Sequence, residues 1–195
     1  MIVEKDTWFI NGYISSLVIA VALLVAFLNI SHQQMVVAVI SFLLSIVLIT
    51  GLTMNQPNEI VVVQLFGMYV GSIRSTGWIM TVPLTRKTKV SQKIHRFTTE
   101  TVHIQVEDNQ LAGVSAVVTY KVVDAAKALF TVDAYLPYVK MEAYLLMNTI
   151  AVPYLKQEGA INMKEINEEM KHSLQKNVHF AGIEIIACHC VIDEK

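Results

Sequence analysis

Residues 7–58 read TWFINGYISSLVIAVALLVAFLNISHQQMVVAVISFLLSIVLITGLTMNQPN, 52 residues without an Asp, Glu, Lys or Arg. Glu4, Lys5 and Asp6 precede this run, and 28 of the chain's 31 charged residues lie from Glu59 onward. Such a distribution puts the two parts of the chain in different solvents. Wound as one helix, the run would reach about 78 Å at ~1.5 Å per residue, against a hydrocarbon core of roughly 30 Å. Two spans are therefore expected. The polar cluster Asn29-Ile30-Ser31-His32-Gln33-Gln34 marks the break and leaves about 20 residues on each side, the length a bilayer needs. The expected organisation is a tail over residues 1–7, transmembrane helices over residues 8–28 and 35–54 joined by a loop at residues 29–34, and one domain over residues 55–195.

A cleaved signal peptide would open on a net positive segment with a shorter apolar stretch, whereas this chain opens on Glu4-Lys5-Asp6, so none is expected. Buried helices of a soluble protein keep some charge on an exposed face, which these lack. Trp8, Phe9 and Tyr13 stand at the start of the first span, where amphipathic rings favour the headgroup layer, and read as interface anchors. The sequon Asn29-Ile30-Ser31 lies in a loop too short to hold it clear of a bilayer and is read as chance. A hairpin returns the chain to its starting side, so the N-terminus and the large domain share one compartment. Lys5, the basic run over residues 86–96 and a loop without Lys or Arg favour the cytoplasmic side of the membrane. Cys188 and Cys190, one residue apart on a strand, cannot close a disulfide framework and are compatible with a reducing compartment.

Beyond the apolar run, residues 59–66 are short and β-branched, and Gly67, Gly71 and Gly77 read as breakers between brief extended pieces ending at Val82-Pro83. Residues 101–106 alternate, with Val102, Ile104 and Val106 on one face. After a polar turn at residues 107–110, Val114, Ala116, Val118, Tyr120 and Val122 repeat the pattern, giving two antiparallel strands. Asp124 can cap a short helix over residues 125–130, and Pro137 suits the first position of a longer one that Val152-Pro153 stops. A third helix over residues 164–178 carries Ile166, Met170, Leu174 and Val178 in a stripe that serves either its own sheet or a partner helix. Ala181-Gly182 ends it, and residues 183–186 return as a strand. The class expected is α+β, with helices packed on one side of a largely antiparallel sheet.

Gln56-Pro57-Asn58-Glu59, Phe66-Gly67-Met68-Tyr69-Val70-Gly71, Gly77-Trp78 and Val82-Pro83 resemble the opening of the SPFH (band 7) domain shared by stomatins, prohibitins and flotillins. Val122-Val123-Asp124, Lys127-Ala128-Leu129-Phe130, Val132-Asp133-Ala134-Tyr135 and Ala181-Gly182-Ile183-Glu184 stand where that family has a sheet strand, the adjoining helix and the final strand. The resemblance covers about 130 of the 195 residues, and the layout is similar to that of bacterial members with a membrane hairpin ahead of the domain. Relatives continue past the final strand into a long Ala/Glu-rich helix that drives assembly, whereas this sequence ends at Lys195 without that coiled coil. A chain cut before that helix, or a shortened paralogue that caps or modulates longer partners, would fit. Relatives also commonly carry an Arg after a Leu in the long helix, where Leu145-Leu146-Met147-Asn148 has none.

Alternation over residues 87–96 puts Lys87, Lys89, Ser91, Lys93 and His95 on one face, which reads either as a solvated strand side or, with Arg86 and Arg96 beside it, as a contact for anionic lipid. Nucleic acid is not an expected partner, because the 14 basic residues from Glu59 onward are balanced by 14 acidic ones. Cys188-His189-Cys190 carries zinc-type ligands, but a strand turns His189 away from both thiols. Gly113-Val114-Ser115-Ala116-Val117 is half of a nucleophile elbow inside a strand pattern. No catalytic residue, metal site or cofactor is expected.

The resemblance implies a non-enzymatic scaffold in the bacterial inner membrane, with its soluble domain on the cytoplasmic side, that self-associates and organises a local patch of membrane proteins or lipids. The implied partners are membrane lipids, further copies or longer SPFH paralogues and, in some members, an AAA+ membrane protease. The alternative is a regulatory adaptor that binds a membrane protease or transporter without large homo-oligomers.

Overall fold

The computed structural model describes residues 4–31, 34–106, 110–155 and 163–194. By their contacts these fall into two compact units, residues 4–91 and the chain from Gln92 onward.

The first unit begins with a two-residue strand, β1 (Ile10–Asn11), which leads directly into helix α1 (Gly12–Ser31). Helix α2 (Met35–Gly51) runs back and continues without a linker into β2 (Leu52–Asn55). The buried positions among the described residues of the hairpin are Gly12, Ser15, Ile19 and Ala26 on α1 and Ala38, Ser45 and Gly51 on α2. Most of these are small, which lets two helix backbones approach closely. Ser15 Oγ donates to the Asn11 carbonyl (3.2 Å) and Ser45 Oγ to that of Ser41 (2.8 Å), so both hydroxyls are satisfied within the local chain. Large side chains such as Leu17, Val21, Leu24, Phe27, Ile40 and Leu43 point outward. Among the described helices, Gly12–Ile30 is long and apolar enough to cross a membrane, whereas Met35–Gly51, equally free of charge, has 17 residues.

These limits differ from the spans read from sequence, for local reasons. The first helix starts at Gly12 rather than residue 8 because Ile10 and Asn11 are taken up in a strand pair. It continues through Asn29, whose Nδ2 donates to the Val25 carbonyl (2.8 Å), so the polar cluster begins inside the helix. The second helix stops at Gly51 because Leu52 is already paired with Met80.

Strands β3 (Glu59–Leu65), β4 (Met68–Ile73), β5 (Gly77–Met80) and β6 (Arg86–Ser91) complete this unit. They form two antiparallel sheets, ordered β1-β5-β2 and β4-β3-β6. Residues 60–63 of β3 are wholly buried, and Val61 and Val63 pack with Ile73 and Ile79. Gly71 lies inside β4 instead of breaking it. A Cβ there would come within 2.7 Å of Thr7 Cβ, so its absence lets residues 5–7 run alongside, with Ser72 N–H donating to the Lys5 carbonyl (2.7 Å). Three turns hold a non-glycine residue in the left-handed region: Pro57-Asn58 (φ 61° at Asn58), Phe66-Gly67 (φ 48° at Phe66) and Pro83-Leu84 (φ 60° at Leu84).

The second unit carries β7 (His95–Thr98), β8 (Val102–Val106), β9 (Gln110–Val122) and β10 (Ile183–Glu194). The long β9 pairs antiparallel with β10 along one side and with β7 and β8 in succession along the other. Against this sheet lie α4 (Tyr135–Leu146) and α6 (Met163–Val178). The stripe Ile166, Met170, Leu174 and Val178 is buried in that core, so it serves its own sheet. Asp124 caps α3 (Ala125–Phe130) as expected, its Oδ1 accepting from Lys127 N–H (2.9 Å). Pro137 stands third in α4, within the first turn, where its missing N–H costs no intrahelical bond. Val152-Pro153 does not stop the helix. The chain widens into a π-helical turn over Met147–Ala151, Val152 N–H reaches the Met147 carbonyl, and Pro153 fits into a final turn, α5 (Val152–Leu155).

Strand β10 runs 12 residues, well past the short strand expected at residues 183–186. Helix α6 supplies amides to its outer edge: Gln175 Oε1 accepts from Ile185 N–H (2.7 Å), Gln175 Nε2 donates to the Ile183 carbonyl (3.1 Å), and Asn167 Oδ1 accepts from Cys190 N–H (2.8 Å). An edge strand covered this way is blunted as a template for further pairing. The architecture is therefore α+β, with antiparallel pairing between all named strands.

Gly182 joins α6 to β10 in the left-handed conformation (φ 69°), and a Cβ there would meet the Asp124 carbonyl oxygen at 2.5 Å. Gly182→Ala is expected to cost about 2–4 kcal/mol, from backbone strain and overpacking together. Thermal unfolding of the detergent-solubilised chain should show a melting temperature lower by roughly 5–15 °C.

Candidate membrane interface

The root of the hairpin is built on β5. Ile10 and Leu52 both pair with Met80, and Asn11 and Thr53 both pair with Ile79, so the entry to α1 and the exit from α2 flank one strand. Two glycines make this approach possible. A Cβ on Gly12 would come within 1.9 Å of Trp78 Cδ1, and one on Gly51 within 2.8 Å of the Thr81 carbonyl oxygen. Thr81 N–H donates to the Gly51 carbonyl (3.0 Å), and Asn11 Oδ1 caps α1 by accepting from Tyr13 N–H (3.0 Å). Leu84 N–H donates to Thr50 Oγ1 (3.0 Å) in the last turn of α2.

Lys87 completes the joint. Its Nζ donates to the carbonyls of Thr50 (2.6 Å) and Leu52 (3.3 Å), where the C-terminal carbonyls of α2 lack helical partners. Burial lowers its pKa from the ordinary lysine value. Asn55 is buried beneath, its Nδ2 reaching the carbonyls of Glu59 (3.2 Å), Ile73 (3.5 Å) and Ser75 (2.9 Å). One amide thus holds β2, the start of β3 and the end of β4 together.

The interface anchors read from sequence stand at this root. Trp8 and Tyr13 are 72% and 74% exposed, Phe9 is also exposed, and Trp78, packed over Gly12, joins them from another part of the chain. The basic run does not form one alternating strand: β6 ends at Ser91 and β7 begins at His95. Lys93 and Arg96 belong to the second unit, where Arg96 Nε donates to Thr119 Oγ1 (3.3 Å). Lys89 lies 3.9 Å from Glu59, a half-exposed pair of little energetic weight. Arg86 is exposed at the start of β6. Lys87 as a helix cap and Trp78 as the neighbour of Gly12 escape sequence reading, because each contact joins positions more than 30 residues apart.

Cys188 and Cys190 point into the core and His189 to the opposite, exposed side, as strand alternation requires. Burial raises the Cys188 thiol to about 12, with the neighbouring Cys190 adding to the effect, and raises Cys190 to about 11. Both are poor nucleophiles, and Cys190 Sγ packs on Met170 Sδ at 3.1 Å.

Lys87→Met keeps the stem and removes the cap, and should lower stability by about 1 kcal/mol in thermal melts. The thiols give a pH dependence whose sign follows from their raised folded pKa values. Their stabilising contribution is complete below the unfolded value of 9.0 and is lost as pH rises toward about 11–12. Alkylation by iodoacetamide at pH 8 should accordingly be slow in the native chain and fast once it is denatured.

Comparison with known proteins gives one family match. The model of the SPFH domain / Band 7 family covers residues 54–189, from β2 through most of β10. No curated protein matches the chain. With that match spanning more than half of its length, the chain belongs to the SPFH domain / Band 7 family.

Proposed function

We propose that this protein is a membrane-anchored scaffold whose hairpin crosses the bilayer twice and whose copies associate to organise a local patch of lipids or membrane proteins. The family is generally membrane-associated, scaffold-like and non-enzymatic. The observation that carries the proposal is the root of the hairpin. Two charge-free helices with large apolar side chains turned outward are locked onto β5 on both sides, so whatever holds the helices also holds the first sheet.

A bacterial inner membrane with the domain on the cytoplasmic side fits Lys5, a few residues ahead of α1 in sequence, Arg86, next to the Lys87 that caps α2, and a sequence without Lys or Arg over residues 29–34. Of the basic residues proposed to meet anionic lipid, Arg86 is exposed at the start of β6 and Lys89 is half-exposed, whereas Lys87 is committed to α2. Lys93 and Arg96 belong to the second unit and are proposed as lipid contacts of that unit by itself. Proposed partners are membrane lipids, further copies, longer SPFH paralogues and a membrane protease of the AAA+ type.

Size measurement of the full chain in mild detergent tests self-association. A species of many copies is expected. A strictly monomeric species would overturn the scaffold and leave the adaptor of a protease or transporter in its place.

A further inference from the structure

The β4-β3-β6 sheet has a different chemistry at each end. Strands β3 and β6 are antiparallel with Glu59 opposite Ser91 and Gln64 opposite Arg86. Their starts therefore lie at opposite ends, and each start is preceded by a Pro-X turn whose second residue is left-handed: Asn58 at φ 61° before β3, Leu84 at φ 60° before β6. Asn tolerates that conformation and glycine suits it; a bulky apolar residue there is an outlier. The same register sets the Phe66-Gly67 turn, which joins β3 to β4, beside the Leu84 turn. Phe66 is left-handed too, in a two-residue hairpin turn where Asn-Gly is the ordinary choice.

These strained apolar residues stay largely exposed: Phe66 is 87% exposed, Leu84 60% and the adjoining Met68 67%. The end of the sheet they occupy is fixed beside the last turn of α2. Leu84 N–H donates to Thr50 Oγ1, and Lys87, opposite Val63, holds the Thr50 and Leu52 carbonyls. The polar Asn58 turn stands at the other end.

We propose that the Phe66 and Leu84 turns are lipid-inserting tips, which enter the boundary between headgroups and acyl chains at the level where α2 leaves the bilayer. Backbone strain is then offset by transfer of the two side chains from water into lipid. The occupant is lipid because the tips continue the apolar surface of the hairpin at its own end, and Arg86, at the start of β6, would reach the phosphates above them. Seating of the sheet in this way rests on the anchored hairpin proposed above.

The test uses the full chain in nanodiscs of phosphatidylcholine and phosphatidylglycerol, with single cysteines labelled by the polarity-sensitive fluorophore NBD. Phe66→Cys and Leu84→Cys are the tips, Asn58→Cys the control at the polar end, and Leu24→Cys the marker within α1; the native thiols are buried. At positions 66 and 84 emission should shift to the blue and be largely lost when lipids doxyl-labelled near the carbonyl are included, while position 58 keeps a water-like spectrum without quenching. Quenching at 66 and 84 no greater than at 58, with position 24 quenched, would overturn the inserting tips while leaving the anchor intact. Loss of quenching at 24 as well would overturn the anchor itself. A blue shift at 66 and 84 insensitive to doxyl lipid would mean that protein, such as a second copy, covers the tips, and would also overturn the proposal.

Discussion

Strand β5 has four residues, yet it is hydrogen-bonded on both sides to the chain that enters and leaves the apolar hairpin. Everything else in the first unit depends on that double pairing. A helix end in a poorly hydrated place leaves backbone groups that must find partners. Here the Gly51 carbonyl meets Thr81, the Thr50 and Leu52 carbonyls meet Lys87, and Tyr13 N–H meets Asn11. Gly12 and Gly51 supply the room, Asn55 ties the result to the next sheet, and no flexible segment intervenes between membrane-type helix and soluble-type strand.

Much of this chain is legible from sequence because the relevant physics is local. A run without charge, a stripe at helical spacing, Asp124 three residues before the N–H it accepts, and Gly182 at a helix end each act within a turn or two of the chain. What escapes is non-local. A two-residue strand such as β1 has no period to detect, and its existence rests on a partner 70 positions away. The basic run over residues 86–96 looks like one strand because alternation does not reveal the break between Ser91 and His95. Proline at position 153 reads as a stop, since a widened turn that accommodates it leaves no mark in composition. The candidate interface is half legible for the same reason: Trp8, Phe9 and Tyr13 adjoin the apolar run, whereas Trp78 reaches Gly12 through the fold.

The second unit solves a different problem. A sheet whose longest strand pairs on both sides still ends in an outer strand of 12 residues, free of proline and glycine. Helix α6 faces its apolar stripe to the core and turns Gln175 and Asn167 onto that strand's backbone. A side-chain amide carries a donor and an acceptor, so one Gln can replace two groups of a missing strand. The edge is quieted through amide hydrogen bonds from the helix, while Glu184 at the start of the strand pairs with Lys121 of β9.

The shared register of Ile10, Met80 and Leu52 also constrains how such a chain can change its length. Adding or deleting one residue between Asn11 and Gly12, or between Gly51 and Leu52, would slip a strand by one position and turn its side chains to the wrong face. The hairpin root is thus closed to insertions and deletions. Grafting another anchor onto this domain would require carrying β1 and β2 along with it, so the heritable module is the hairpin together with its three-stranded clasp.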